Sequence, residues 1–275
     1  MSPSWRDRVT ILIGPRQIKV VRIAWGWKPR LTQKDTIALA PAEPDEAPWQ
    51  PAVDELRNLV ATGGLAHAAV TLVLSGHLVR YTLAPWSELL EGDGEDLLFA
   101  RHCFAQVYGS VADRWAVRVT RGTQRAPRLA SAMDEALVRA IEETMVPIGR
   151  QFVSLQPMLM TCFNVWRRRV GNRSGWFVVA EPGMLCLSLF SEGQWRAVNT
   201  VKLRQAWPLE LPFILERENS LCQVDEERTA VFLFSAEDGY TLTADSDQWE
   251  FHNLRPAPME GYADESDAAY AFAAG

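Results

Sequence analysis

The stretch ILIGPRQIKVVRI, residues 11–23, sets an apolar run and an alternating run on either side of Gly14-Pro15-Arg16-Gln17. Two strand-like runs joined by so short a turn read as a β-hairpin. WFVVAEPGMLCLSLFSEGQW, residues 176–195, reads the same way, with turns at Pro182-Gly183 and Glu192-Gly193. Each hairpin is followed by a third strand, a helix and a further apolar strand. A chain that writes this order twice is tightly constrained, because each pattern must bury one face of its own sheet under its own helices.

In the first half, strands are expected at 9–14, 17–25 and 31–39, then a proline-rich loop at 40–51. Val53, Leu56, Leu59 and Val60 share one face of a helix that Gly63-Gly64 ends. Strands follow at 67–74 and 78–83, a helix at 95–108 with Leu97, Phe104 and Tyr108 as its stripe, and a strand at 115–120. A second unit is expected to begin near Ala130. Asp134 caps a helix carrying Leu137, Ile141 and Met145. A strand at 152–155 precedes a helix that ends in Arg167-Arg168-Arg169, where positive charge complements the helix dipole. Strands at 176–179, 185–190 and 195–203, a helix at 209–222 and a strand at 228–234 complete the unit. The expected organisation is therefore a first lobe at 1–129, a second at 130–255 and a flexible acidic tail at 256–275.

Composition excludes several function classes. The net charge of −6 argues against non-specific nucleic-acid binding. The longest apolar stretches, AAVTLVL and VFLF, fall far short of the ~20 residues that span a bilayer. The four cysteines (Cys103, Cys162, Cys186, Cys222) are scattered, so free buried thiols in a reducing cytoplasm are expected, with no direct membrane insertion. His67, His77, His102 and His252 have no metal-ligand spacing, and neither a Gly-x-Ser-x-Gly nor an informative carboxylate pair occurs. No metal, cofactor or catalytic residue is expected.

The paired plan resembles the actin-like ATPase superfamily, a two-lobed ribonuclease-H-like α/β fold with mixed sheets. IGPRQIKVVRI is similar to the first phosphate loop of its PilM group, with Ile13, Gly14, Lys19 and Val21 on the pattern. VTLVLSGHLVRYTLAPW, FVSLQPMLMTCFN and WFVVAEPGMLCLSLFSEGQW resemble successive segments of PilM, MshI and the GspL cytoplasmic domain. The resemblance implies a nucleotide site, yet its motifs are degenerate here. The first-loop Asp, which in the family positions metal and water, is Leu12. Pro15 removes a backbone N–H from the phosphate turn. The second Asp falls on Val179 or Ala180, and Glu181 and Gly183 are the nearest substitutes. Without both acids no well-held magnesium is expected.

Lys19 is then read as a solvent-facing strand lysine, and Arg16 as a solvated turn residue. Trp25 and Trp27 flank Gly26 and are expected to share one face of a strand, where an exposed pair would anchor a partner protein. By resemblance, the expectation is a non-catalytic cytoplasmic scaffold in type IV pilus or type II secretion inner-membrane assembly. It would be peripheral at that membrane through partners, one of them the short cytoplasmic N-terminus of a membrane protein. Two rivals stand beside it. One is an active ATPase or kinase that holds its metal with Glu181, Asp225 or Asp238. The other is a stand-alone actin-fold protein.

Overall fold

The computed structural model describes residues 6–86, 93–120, 126–171, 173–224, 228–237, 247–256, 259–262 and 267–273. β1 (Asp7–Ile13), β2 (Gln17–Ala24) and β3 (Arg30–Ala38) form an antiparallel meander, followed by α1 (Gln50–Ala61) and β4 (Ala68–Leu74). Next come β5 (Val79–Ala84), α2 (Asp93–Tyr108), β6 (Trp115–Val119), β7 (Arg128–Asp134), α3 (Glu135–Met145), β8 (Phe152–Pro157) and α4 (Met158–Val170). The remaining elements are β9 (Gly175–Glu181), β10 (Met184–Ser191), β11 (Gln194–Lys202), α5 (Trp207–Cys222), β12 (Thr229–Ser235) and β13 (Trp249–Asn253).

Two sheets share one plan. The first runs β3-β2-β1-β4-β8 and the second β11-β10-β9-β12-β13. In each, an antiparallel meander is extended by two strands parallel to its first strand. These are the two mixed sheets that the doubled sequence pattern implies. A third, antiparallel sheet, β5-β7-β6, packs Val117, Ala130 and Ala132 against Ala100 and Phe104 of α2.

The lobe boundary differs from the expected one. β7 pairs with β5 and β6, and β8 pairs with β4, so both belong to the first lobe. A division at 129/130 would cut β7, whereas the sheets separate after β8. The run RLASAM in β7 carries small residues that sit buried against neighbouring strands, a weak strand signature in isolation. α4 packs on β4, β8 and β9 and so links the lobes. α3 forms as its residues dictate: the Asp134 carboxylate accepts from the Ala136 amide at 2.8 Å, and Leu137, Ile141 and Met145 are buried.

The stretch expected to be a flexible tail is packed wherever it is described. The Leu31 amide donates to the Glu260 carbonyl at 2.9 Å, and a short 3-10 turn, Ala268–Ala273, rests on β2 and α4. Ala271 and Phe272 are buried, as is Asp267, which pairs with Lys34. Low apolar periodicity hid this, because burial here comes from a few tertiary contacts rather than from a repeating face. The cysteines are all free, but only Cys162 and Cys186 are buried; Cys103 and Cys222 are half-buried. No helix among the described residues is long and apolar enough to cross a membrane.

Candidate functional site

β1 and β4 end side by side in the first sheet, and β9 and β12 end side by side in the second. Carboxyl ends of neighbouring parallel strands are where α/β folds bind ligands. Here the two sets of ends meet across a cleft of about 660 Å3, lined by Leu12, Gly14 and Arg16 from one side and Glu181, Gly183 and Lys202 from the other. That volume lies within the range of small-molecule sites.

The two hairpin turns enter the cleft. The Gly14 amide donates to the Gln17 carbonyl at 3.0 Å, closing the first turn. Gly183, at φ 73°, closes the second, in a region where a side chain is strained. Between them the lobes are tied by polar contacts in both directions. Glu181, 3% exposed, extends from β9 into the first lobe. One carboxylate oxygen accepts from Ser75 Oγ at 2.5 Å and the other from the Gly76 amide at 2.8 Å. Gly76 is needed for this approach: a Cβ there would lie 2.6 Å from Met184 Cε and 3.0 Å from the Glu181 oxygen. His77 Nε2 lies 3.0 Å from the Pro182 carbonyl, which fixes the proton on that nitrogen. From the first lobe, Lys19 Nζ donates to the Ala236 carbonyl at 2.8 Å.

Lys19 is therefore not solvent-facing, as the sequence had implied. It is 5% exposed, covered by the second lobe and by Tyr270, whose ring centre is 5.3 Å from Nζ. Leu12 pairs with Lys19 in the hairpin register and is itself buried, an apolar side chain at the cleft wall. Burial pushes the Glu181 carboxyl above its usual range; the Ser75 and Gly76 hydrogen bonds, then His77 and Lys19, pull the other way. Glu237, next to Ala236, is also raised by burial and held back by Lys19.

A magnesium-bound phosphate does not fit the described side chains well. Both Glu181 oxygens are engaged by donors, and Leu12 offers no oxygen. Among the described residues no group of three or more His, Cys, Asp or Glu side chains is placed to hold a metal. Asp225 and Asp238 lie outside the described residues.

The structure thus brings Leu12, Gly14, Lys19, Glu181 and Gly183 together. Ser75, His77 and Ala236 complete the site; the sequence marks His77 only as a histidine without metal-ligand spacing and does not single out Ser75 or Ala236. Ser75 carried a usable signal, since it directly follows the apolar run of β4 and so stands at a strand's carboxyl end. Trp25 and Trp27 lie elsewhere, at the opposite end of β2. Because β2 ends at Ala24, they occupy the β2–β3 turn rather than one strand face. Trp25 is 48% exposed and Trp27 fully exposed.

The raised Glu181 carboxyl predicts a pH signature. A carboxyl whose folded pKa exceeds its unfolded value favours the fold below the unfolded pKa and loses that advantage as pH rises through the folded one. Glu181→Gln removes the ionisation and keeps the shape. Melts from about pH 4 to about pH 8 should therefore show the wild type losing stability relative to Glu181→Gln as pH rises; a pH-independent difference would refute the assignment.

No protein-family profile and no curated protein matches the sequence. Solved structures do match the fold. The cytoplasmic domain of EpsL, an inner-membrane component of the type II secretion system of Vibrio cholerae, aligns with TM-score 0.57 at 9% identity over 90% of each chain. The PilM–PilN type IV pilus biogenesis complex aligns with TM-score 0.54 at 14% identity, over 83% of this chain and 81% of that one. A Bacteroides thetaiotaomicron protein with an actin-like ATPase fold and unknown function gives 0.52 at 12% identity, over 87% and 84%. The chain has the actin-like ATPase fold.

Proposed function

We propose that this chain is a non-catalytic scaffold that docks partner proteins, acting in the inner-membrane assembly of a type II secretion or type IV pilus system. The observation that carries the loss of catalysis is the Glu181 carboxylate. Glu181, the acid that the second hairpin brings to the cleft, accepts on both oxygens from Ser75 and Gly76 and so joins the lobes. Phosphoryl transfer depends on positioning and on a metal that neutralises charge, and neither the first-loop Leu12 nor this engaged carboxylate supplies it. The assembly context rests on likeness in fold to the EpsL domain and PilM–PilN. In this reading the chain is cytoplasmic and reaches the membrane through partners, such as the cytoplasmic N-terminus of a membrane protein. A second reading, an active ATPase or kinase, is favoured by the size of the cleft and requires Asp225 or Asp238 to bring the metal.

Titration calorimetry with Mg-ATP separates the two. The scaffold reading expects no binding tighter than roughly 100 μM, about −5.5 kcal/mol; tighter binding rejects it. Docking is expected at the β2–β3 turn, where a fully exposed Trp27 has the character of an interface anchor. Trp27→Ala should weaken capture of the proteins that the wild type retains by ~2 kcal/mol and leave the thermal melt unchanged. Equal capture would move the docking surface elsewhere.

A further inference from the structure

The β2–β3 turn stands at the end of the first sheet away from the cleft. The register gathers the starts of β1 and β3 there with the end of β2: Arg8 pairs with Ile23, and Ala24 with Arg30. Within 6–8 and 25–30 four residues are cations, Arg6, Arg8, Lys28 and Arg30, and one is an acid, Asp7. All four cations are exposed, and Arg6, Lys28 and Arg30 form no ion pair with a described residue. The acid is engaged. One Asp7 oxygen accepts from Arg22 Nη1 at 3.1 Å and the other from the Trp25 amide at 3.2 Å. Arg22 Nη2 donates in turn to the Gly64 carbonyl at 2.8 Å, so the turn is fixed at its base. Arg8 and Arg30 belong to successive cross-strand pairs and therefore lie on opposite faces of the ribbon. Trp27 stands fully exposed at the turn between β2 and β3.

We propose that this tip recognises an acidic segment of a partner protein, one with carboxylates on both sides of an apolar residue. The inference rests on the docking reading above and supplies its chemistry. The apolar residue meets the Trp27 indole, a side chain of the kind that anchors interfaces. The flanking carboxylates meet Lys28 and the arginines on either face, where complementary charge selects the partner and speeds its arrival. Because Asp7 holds the base of the turn before binding, less order has to be imposed on association. Charge also favours a protein segment over an anionic bilayer. A bilayer responds to the summed field of the molecule that faces it, and this chain carries −6, with an exposed acid, Glu260, beside Arg30. A single segment pairs with individual cations and can avoid that acid.

The test uses the full chain. A fluorescein-labelled peptide repeating Glu-Glu-Leu-Pro and its Lys-Lys-Leu-Pro counterpart are titrated by fluorescence anisotropy. The wild type should bind the acidic peptide roughly tenfold more tightly than the basic one, and more weakly as salt rises. The double variant Lys28→Glu/Arg30→Glu should lose that preference with an unchanged thermal melt. Should Arg30→Glu disturb the neighbouring Glu260 and lower the melt, Arg6→Glu/Lys28→Glu provides the same comparison. No binding to the wild type, equal binding of the two peptides, or indifference to the charge reversals would overturn the proposal. So would sedimentation of the wild type with phosphatidylglycerol vesicles, lost in the same variants, in the absence of peptide binding; that result would assign the tip to a lipid surface. The docking reading fails separately. Protein capture indifferent to Trp27→Ala removes the turn as a docking surface. Capture that falls with Trp27→Ala but survives both charge reversals keeps the turn and overturns only its acidic partner.

Discussion

A carboxylate taken out of water at the junction of two lobes restricts everything around it. Glu181 leaves the end of β9, crosses the cleft, and meets a serine hydroxyl and a glycine amide at the end of β4. Removing an ion from water costs several kcal/mol, and hydrogen bonds return that only when their geometry is good. Burial still dominates here, since the carboxyl is raised despite four opposing influences. What the contact constrains is the relative position of the groups that make it. It is satisfied only when the first turn after β4, the second hairpin and Gly76 hold one relative position. The reciprocal Lys19–Ala236 bond restates that requirement from the other lobe.

The cleft combines a ligand-binding strand geometry with contacts that attach the lobes to each other. The carboxyl ends of β1, β4, β9 and β12 still converge, and both hairpin turns still face the gap. Leu12 closes one wall with apolar surface, Pro15 removes a donor, and the acid of the second hairpin points at the opposite lobe. Arg16 and Lys202 remain at the exposed rim, where cations are readily hydrated.

The doubled meander was legible because hairpin turns, strand alternation and helix periodicity are local. Asp134 capped α3 as its side chain allows, and Leu137, Ile141 and Met145 faced inward as their spacing requires. Three departures come from tertiary contact and a fourth from where a strand ends. β7 is built from small residues that take their strand character from β5 and β6 on either side, so the lobe boundary was placed too early. Lys19 looked exposed because nothing near it in sequence covers it; Tyr270 and Ala236 do. The 267–273 segment looked flexible because one phenylalanine and two alanines anchor it rather than a periodic face. Trp25 and Trp27 were assigned to a strand that stops one residue earlier. Within the site, Gly14, Glu181 and Gly183 were found from the hairpins, while Ser75 and His77 belong to a turn whose importance appears only once the lobes are together.

The central claim is that the chain itself ties the two lobes together across the cleft, and the Gly76 amide reports on that tie directly. Its hydrogen is bonded to Glu181 across the lobes and exchanges only when that tie opens. Native-state hydrogen exchange, followed at Gly76 with and without Mg-ATP, should show protection approaching that of the core strands and no response to the nucleotide. Exchange as fast as in an exposed loop, or protection that changes on adding Mg-ATP, would contradict the account.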